Sequence, residues 1–230
     1  MKLLVLIIAH DEPIYIKMQE QWKRYMNKID DIKCYFLKYK SELTNNIEIN
    51  ETENTIYIHG DSKTETIRPG ALDKTIKSLE FLLNNNYNFD YLIRTNLSSV
   101  WNFYKLYDFL NVKKCKIAGF MGNHYDSQNC INYINGAGLI LHIDVCKLLI
   151  QHKHLLNYNI FEEDVAIGNL LFPSLTHYYI SLKRSESYNY QTNYLLLDKE
   201  IETYEHFRCK CDNMENNIPL MKHIIDKIYY

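Results

Sequence analysis

The sequence predicts an α/β protein with a mixed, mostly parallel sheet and helices on both of its faces. Strand-like and helix-like segments alternate at intervals of about 30 residues, which is the spacing of βαβ units. Several strand-like segments are continuously apolar, as expected of strands that are covered on both faces of a parallel sheet. With 230 residues, 47% of them hydrophobic, the chain can bury one core, so a single domain spanning residues 1–230 is expected.

The first third of the chain predicts three strands and one helix. Residues 3–9 form a continuous apolar run, which indicates the first strand. Pro13 suits the first turn of a helix whose apolar face continues to Ile29. Residues 33–37 and 55–59 predict the next two strands, and the polar stretch 41–54 between them is expected to be an exposed excursion.

The segment from Phe89 to Trp101 predicts a buried strand that ends in polar residues. A helix with Leu72, Ile76 and Leu79 on one side precedes it. The apolar residues 91–93 form the strand, and a helix follows from about residue 102 to residue 110. Open α/β sheets bind their ligands at such strand ends, so this turn is the first candidate site.

The second half of the chain continues the alternation. Strands are predicted at residues 116–121, 134–142, 177–182 and 205–209, and Pro219 opens a final helix that is expected to pack on the domain at about 217–230. Gly136 and Gly138 lie within the second of these strands and indicate that another backbone or a ligand approaches closely. A further helix begins after Phe161 with three carboxylates in its first turn.

Composition excludes several classes of protein. The net charge of −2 gives no general attraction to nucleic acid or to anionic membranes. Residues 3–9 are at the short limit for the apolar region of a signal peptide, and no small-x-small cleavage site follows them. No later stretch reaches the ~20 apolar residues of a membrane span, so a cytoplasmic protein is expected. Neither a G-x-G-x-x-G nor a P-loop pattern is present, which argues against the common dinucleotide and NTPase sites.

The six cysteines have no C-x-x-C spacing and are expected to be free thiols. His206, Cys209 and Cys211 are close enough in sequence to suggest a zinc site. Without a second pair of ligands, free thiols remain the favoured interpretation.

Four groups of residues are candidates for chemistry. Arg94 ends an apolar strand and either forms a structural ion pair or binds a ligand such as a phosphate. His10 closes the first strand at the same edge of the sheet. His206 and Arg208 alternate on a predicted strand and would add positive charge to a pocket. The acidic run at residues 162–164 either caps its helix or supplies a general base.

The order of three segments carries a resemblance to a known family. They are Tyr-Leu-Ile-Arg-Thr-Asn at residues 91–96, Asn-Gly-Ala-Gly-Leu-Ile-Leu at 135–141 and Glu-Asp-Val-Ala-Ile-Gly at 163–168. Over roughly residues 3–210 the chain resembles the fringe-like β1,3-glycosyltransferase group of the GT-A fold, a Rossmann-like α/β fold. Pro69-Gly70 and Lys74-Thr75 are similar to this group's preceding helix.

The resemblance implies an inverting transfer of a hexose or N-acetylhexosamine from a nucleotide-sugar donor, expected to be UDP-linked, to a hydroxyl of a glycan or glycoprotein acceptor. It makes Asp164 the general base, with Glu163 as the fallback candidate. Ala9 and His10 would lie against the nucleobase. The remaining residues implied to bind the donor are Lys74, Arg94, Thr95, Asn96, Gly136, Ala137, His206 and Arg208.

One departure from the family pattern bears on the cofactor. Where the family has acidic residues that hold Mn²⁺, this chain has Asn96-Leu97-Ser98-Ser99, whose neutral oxygens are weak ligands for a divalent cation. This difference allows three interpretations of the protein's activity. The favoured one is transfer without metal, with Arg94, His206 and Arg208 neutralising the diphosphate. The others are transfer with Mn²⁺ or Mg²⁺ bound weakly through Asn96 and His206, and a non-catalytic nucleotide-sugar or carbohydrate-binding protein.

Overall fold

Alternating strands and helices make up the protein, according to a computed structural model that describes residues 1–61, 67–125, 130–186 and 194–230. The strands are β1 (Leu3–Ile8), β2 (Ile32–Lys40), β3 (Ile47–Asn50), β4 (Thr55–His59), β5 (Tyr91–Asn96), β6 (Ser99–Trp101), β7 (Ile117–Gly119), β8 (Met121–Tyr125), β9 (Cys130–Ile134), β10 (Gly138–His142), β11 (Tyr179–Ser181), β12 (Arg184–Glu186) and β13 (His206–Arg208). The helices are α1 (Pro13–Lys23), α2 (Leu72–Asn84), α3 (Phe103–Lys113), α4 (Ile143–Gln151), α5 (Glu163–Leu175), α6 (Tyr194–Ile201) and α7 (Asn217–Tyr229).

An eight-stranded sheet in the order β11-β7-β10-β5-β1-β2-β4-β3 forms the centre of the fold. The β1 strand pairs in parallel with β2 and β5, while β10 and β3 pair antiparallel to their neighbours. A three-stranded sheet, β12-β13-β6, and the β8–β9 hairpin flank the central sheet. The prediction of a mixed, mostly parallel sheet is confirmed.

Helices cover both faces of the central sheet. Alternate residues of β1 separate into two apolar clusters: Leu3, Val5 and Ile7 pack with residues of α1, α3 and α7, whereas Leu4 and Leu6 pack with residues of α2, α4 and α5. Because side chains alternate between the faces of a strand, a strand buried on both faces must be apolar throughout. This is why residues 3–8 show no polar alternation.

Several predicted boundaries were wrong. The run 134–142 contains the last residue of β9, a turn at residues 135–137 and the whole of β10. These two strands do not continue one another, because β9 pairs with β8 and β10 pairs with β5. The supposed excursion 41–54 contains β3, which pairs with the apolar β4, and the first helix ends at Lys23 instead of Ile29. The short strand β6 directly follows the turn after β5, because it pairs with β13, which is far away in sequence.

Candidate active site

A cleft of about 1270 Å³ opens where β1 and β5 end and α5 begins. The carboxyl ends of parallel strands meet at one edge of a sheet, so the fold brings these distant segments together. Nine of the twelve residues named from the sequence line this cleft: Ala9, His10, Arg94, Asn96, Gly136, Ala137, Glu163, Asp164 and Arg208.

The Arg94 guanidinium is held in a buried ion pair. Its Nε donates to Glu163 Oε1 at 2.8 Å and its Nη2 donates to Glu163 Oε2, with both side chains about 5% exposed or less. Its Nη1 donates to Asn96 Oδ1 at 2.7 Å and to the Gly136 carbonyl. Of the two roles left open for Arg94, the structure shows the structural ion pair, so the positive charge of Arg94 is balanced by Glu163.

Glu163 and Asp164 are adjacent in sequence but lie in different surroundings. Glu163 is buried and accepts a further hydrogen bond from Thr75 Oγ1 at 2.5 Å, so three donors hold its two oxygens. Asp164 is only partly buried at the first turn of α5, where Oδ1 accepts from Val165 N at 3.0 Å and Oδ2 from Gly136 N at 2.9 Å. Of these two carboxylates, Asp164 is therefore the one that has lone pairs available to the cleft.

Buried or partly buried side chains approach closely at the glycines of positions 136 and 138. A Cβ at position 136 would lie 2.9 Å from Arg94 Nη1 and 3.4 Å from Asp164 Cβ. A Cβ at position 138 would lie 2.7 Å from two ring atoms of His206. The sequence correctly indicated close approach at this strand but did not identify the groups that approach.

His206 lies beneath the cleft in a stack with Trp101. Its ring is 4.1 Å from the Trp101 ring, centroid to centroid, with an angle of 3° between the planes, and the residue is 1% exposed. Burial, assisted by the charges of Arg184 and Arg208, lowers the pKa of His206 well below the usual histidine range. His206 is therefore neutral at physiological pH, and it does not line the cleft that was expected to contain it.

Lys74 and Thr95 are also buried instead of lining the cleft. Lys74 Nζ donates to the carbonyl of Ala9 at 3.1 Å, at the residue that follows β1. Thr95 Oγ1 donates to the carbonyl of Ala137 at 2.6 Å and accepts from Trp101 Nε1 at 3.1 Å. In this conformation both side chains fix backbone groups of the cleft wall and do not reach its interior.

Arg208 and Lys210 are the basic residues on the side of the cleft formed by β13 and the segment after it. Arg208 Nη1 donates to Ser98 Oγ. Burial and the neighbouring Arg184 lower the pKa of Arg208 to about 10, so Arg208 remains cationic at neutral pH.

The sequence did not indicate the part of the wall that α1 and the segment after β13 supply. Tyr15 and Met18 of α1 line the cleft together with Lys210, Asp212 and Met214, which are far away in sequence. Met18 belongs to the predicted apolar face of this helix, so nothing in its local pattern distinguishes it from a core residue. Lys210, two positions after Arg208, is a local signal that could have pointed to this segment.

Two arginine side chains contact residues 96–99, the segment at which the family that the sequence resembles has metal-binding acids. Asn96 Oδ1 accepts from Arg94, and Ser98 Oγ accepts from Arg208. The Leu97 carbonyl accepts from Trp22 Nε1 at 2.8 Å. A divalent cation at these oxygens would lie against two guanidinium groups, so this donor set does not fit a metal ion.

Metal-ligating side chains are not clustered in the part of the chain that the structure describes: no three His, Cys, Asp or Glu side chains are placed to hold an ion. All six cysteines belong to this part and are free thiols, as predicted. Cys209 and Cys211 are both buried.

Within residues 1–61, 67–125, 130–186 and 194–230, no helix is long and apolar enough to span a membrane.

Comparison with known proteins identifies the fold. No protein-family model matches the chain, and no curated protein matches its sequence. A glycosyltransferase involved in the glycosylation of the major capsid of PBCV-1 superposes with a TM-score of 0.58 at 11% identity, over 96% of this chain and 100% of that one. The glycosyltransferase GlyE of Streptococcus pneumoniae TIGR4, in its apo form, superposes with a TM-score of 0.51 at 12% identity, over 100% of this chain but 60% of its own. With the sheet order described above, these likenesses show that the chain has the GT-A glycosyltransferase fold.

Proposed function

We propose that the protein is an inverting glycosyltransferase that moves a sugar from a UDP-linked donor to a hydroxyl of a glycan or glycoprotein. The transferred sugar is a hexose or an N-acetylhexosamine. The observation that carries this proposal is the position of Asp164, a cleft carboxylate beside a second carboxylate that Arg94 fully engages. The order of the sequence segments, which resembles the fringe-like β1,3-glycosyltransferase group, and the GT-A fold of the neighbours support it.

Asp164 is the proposed general base. The Gly136 and Val165 amides fix the direction of its carboxylate, while its position at the cleft wall leaves it open to an acceptor. As the acceptor oxygen attacks the anomeric carbon, its proton passes to Asp164, the bond from that carbon to the diphosphate breaks, and UDP leaves with the electron pair. Glu163, the fallback candidate, is a poor base because Arg94 and Thr75 already use its oxygens.

The donor is proposed to lie with its nucleobase against Ala9, His10 and Tyr15 and its diphosphate toward Arg208 and Lys210. These residues line a continuous cleft, and the ring of His10 is 5.8 Å from that of Tyr15. Asn96, Gly136 and Ala137 would then border the sugar on the side of Asp164. Lys74, Thr95 and His206 contribute by holding this wall, not by touching the donor.

Transfer without a metal ion remains the proposed mode, but with a different set of cations from the one the sequence suggested. Arg94 is balanced by Glu163 and His206 is neutral, so neither supplies net charge to the diphosphate. Arg208 and Lys210 line the cleft and are the residues proposed to take this role. Fixed cations that face a leaving diphosphate stabilise the charge that develops as the bond breaks.

A donor screen tests the proposal. The purified protein is incubated with a panel of nucleotide sugars, with and without EDTA, and release of the nucleoside diphosphate is followed. We expect turnover with one or more UDP-sugars at a rate that EDTA does not change. The configuration of the released or transferred sugar, read by proton NMR at early times, should be opposite to that of the donor.

Three results would contradict parts of the proposal. Loss of turnover in EDTA, restored by Mn²⁺ or Mg²⁺, would overturn the metal-free mode. Retention of configuration would overturn the role of Asp164 as a base that activates the acceptor. Binding of UDP without turnover of any nucleotide sugar would favour the non-catalytic binding protein.

A further inference from the structure

A three-residue turn, Asn135–Gly136–Ala137, forms hydrogen bonds with two residues of the candidate site, Asp164 and Arg94. The Gly136 amide donates to Asp164 Oδ2 at 2.9 Å, and the Gly136 carbonyl accepts from Arg94. The turn joins β9 to β10, and its own hydrogen bonds include Gly138 N to the Asn135 carbonyl at 3.0 Å. Whatever fixes this turn therefore fixes the direction of the proposed base.

Arg184, on β12, contacts this turn through a side-chain hydrogen bond. Its Nη1 donates to Asn135 Oδ1 at 2.9 Å, and the same oxygen accepts from Ala137 N at 3.1 Å. The Arg184 Cζ also lies 4.4 Å from the centre of the Phe120 ring. Phe120 is itself tied to the turn, because its carbonyl accepts from Asn135 N at 2.9 Å.

The Arg184 guanidinium thus contacts the turn directly at Asn135 and also contacts Phe120, the residue between β7 and β8 whose carbonyl accepts from Asn135 N. Its side chain is 7% exposed, and its second terminal nitrogen, Nη2, donates to Glu186 on the same strand. A planar guanidinium can stack on a ring while its two nitrogens donate in different directions. A lysine ammonium at this position would keep the charge but lose the fork and the stacking surface.

We infer that Arg184 is a positioning residue, which aims Asp164 by clamping the 135–137 turn through Asn135 and Phe120. Arg184 is not among the residues that line the cleft, so it acts through the turn and not on the substrate. The inference rests on the proposed function for the meaning of Asp164 as a base. The contact between the Gly136 amide and Asp164 can nevertheless be followed without any activity.

The first measurement is therefore structural. The chain has seven glycines, so selective ¹⁵N-glycine labelling gives few amide signals. The signal that disappears in Gly136→Ala is assigned to the Gly136 amide. We expect the Gly136 amide shift to move in Arg184→Lys and Arg184→Gln in the direction that Asp164→Asn also produces. Arg24→Lys, which alters an arginine paired with Asp226 elsewhere in the fold, is the matched control and should leave the signal in place.

The second measurement is kinetic and uses a donor that the enzyme turns over. Arg184→Lys and Arg184→Gln should each lower kcat by about tenfold or more with the donor KM unchanged, as expected when only the alignment of a proton acceptor is lost. Because Arg184 and Asn135 act on the same turn, the kcat loss in the Arg184→Gln/Asn135→Ala double variant should be smaller than the product of the two single losses. Wild-type kcat in Arg184→Lys, or additive losses in the double variant, would overturn the inference.

The two measurements separate failure of this inference from failure of the proposed function. An unmoved Gly136 signal in both Arg184 variants overturns the clamp whatever the activity is. A moved signal, in a protein whose turnover Asp164→Asn does not reduce, supports the clamp and contradicts the role of Asp164 as the base.

Discussion

Replacing Glu163 by glutamine should be among the most damaging single substitutions at the site, even though the two side chains have nearly the same shape. The change removes the negative charge that balances Arg94 while the Arg94 guanidinium stays buried. Glutamine offers one acceptor oxygen to the three donors that Glu163 now receives from Arg94 Nε, Arg94 Nη2 and Thr75 Oγ1. An unpaired buried charge is the expected result.

The size of the effect follows from how such pairs behave when one partner is removed. Breaking a buried, hydrogen-bonded ion pair lowers the free energy of unfolding by about 3–5 kcal/mol, because the remaining charge stays in a poorly solvated place. Glu162→Gln is the matched control, since Glu162 is adjacent in sequence but pairs with Arg68 at the surface, with both side chains about half exposed. Exposed pairs of this kind contribute less than about 1 kcal/mol.

Urea unfolding at pH 7, followed by tryptophan fluorescence, measures both variants against the wild type. We expect a lower midpoint with an unchanged slope for Glu163→Gln, which reports lost stability and not a change in compactness. The Arg94→Met/Glu163→Met double variant should be more stable than Glu163→Gln, because it leaves no unpaired charge. A loss in Glu163→Gln no greater than that in Glu162→Gln would refute the assignment of Glu163 as the counter-ion of Arg94.

Three further predictions concern the wall and the cations of the cleft. Gly138→Ala should lower the free energy of unfolding by about 1–3 kcal/mol in urea titrations, since its Cβ would press on the His206–Trp101 stack; wild-type stability would contradict that packing. Because burial lowers the pKa of His206, the unfolded state binds a proton below about pH 6.5 that the folded state does not bind. The free energy of unfolding should therefore fall as the pH decreases below about 6.5, by at most about 1.4 kcal/mol per pH unit. His206→Gln should flatten this dependence between pH 7.5 and 5.5, and an equal slope in the variant would contradict it. Arg208→Gln should weaken UDP binding by about 10- to 100-fold in calorimetry, as loss of a charged hydrogen bond implies, and unchanged affinity would remove Arg208 from the donor site.

The sequence predicted the architecture well because the sheet has strong local signals. Continuous apolar runs such as residues 3–8 and 91–93 are typical of strands that are covered on both faces, and the structure has strands at both places. The helices between the strands have clear apolar faces. The elements that were missed or misplaced depend on partners far away in the chain. Strand β6 exists through pairing with β13, and β3 through pairing with β4.

The site was predicted in outline, but the state of its charges was not. Strand ends and helix starts correctly placed Arg94, Glu163 and Asp164 at one edge of the sheet. Which carboxylate pairs with Arg94 is decided by side-chain geometry across 69 positions of sequence, which no local pattern encodes. The burial of His206 has the same origin, because its partner Trp101 comes from another strand of the small sheet.

The account depends most on Asp164 as the general base, and the turnover of Asp164→Asn tests that claim most directly. Asparagine keeps the shape and one acceptor oxygen for the Gly136 amide, while it cannot take a proton from the acceptor. We predict a kcat about 10²- to 10⁴-fold lower than that of the wild type, with UDP affinity and the urea midpoint unchanged. A kcat within a few-fold of the wild-type value in folded, UDP-binding Asp164→Asn protein would contradict it.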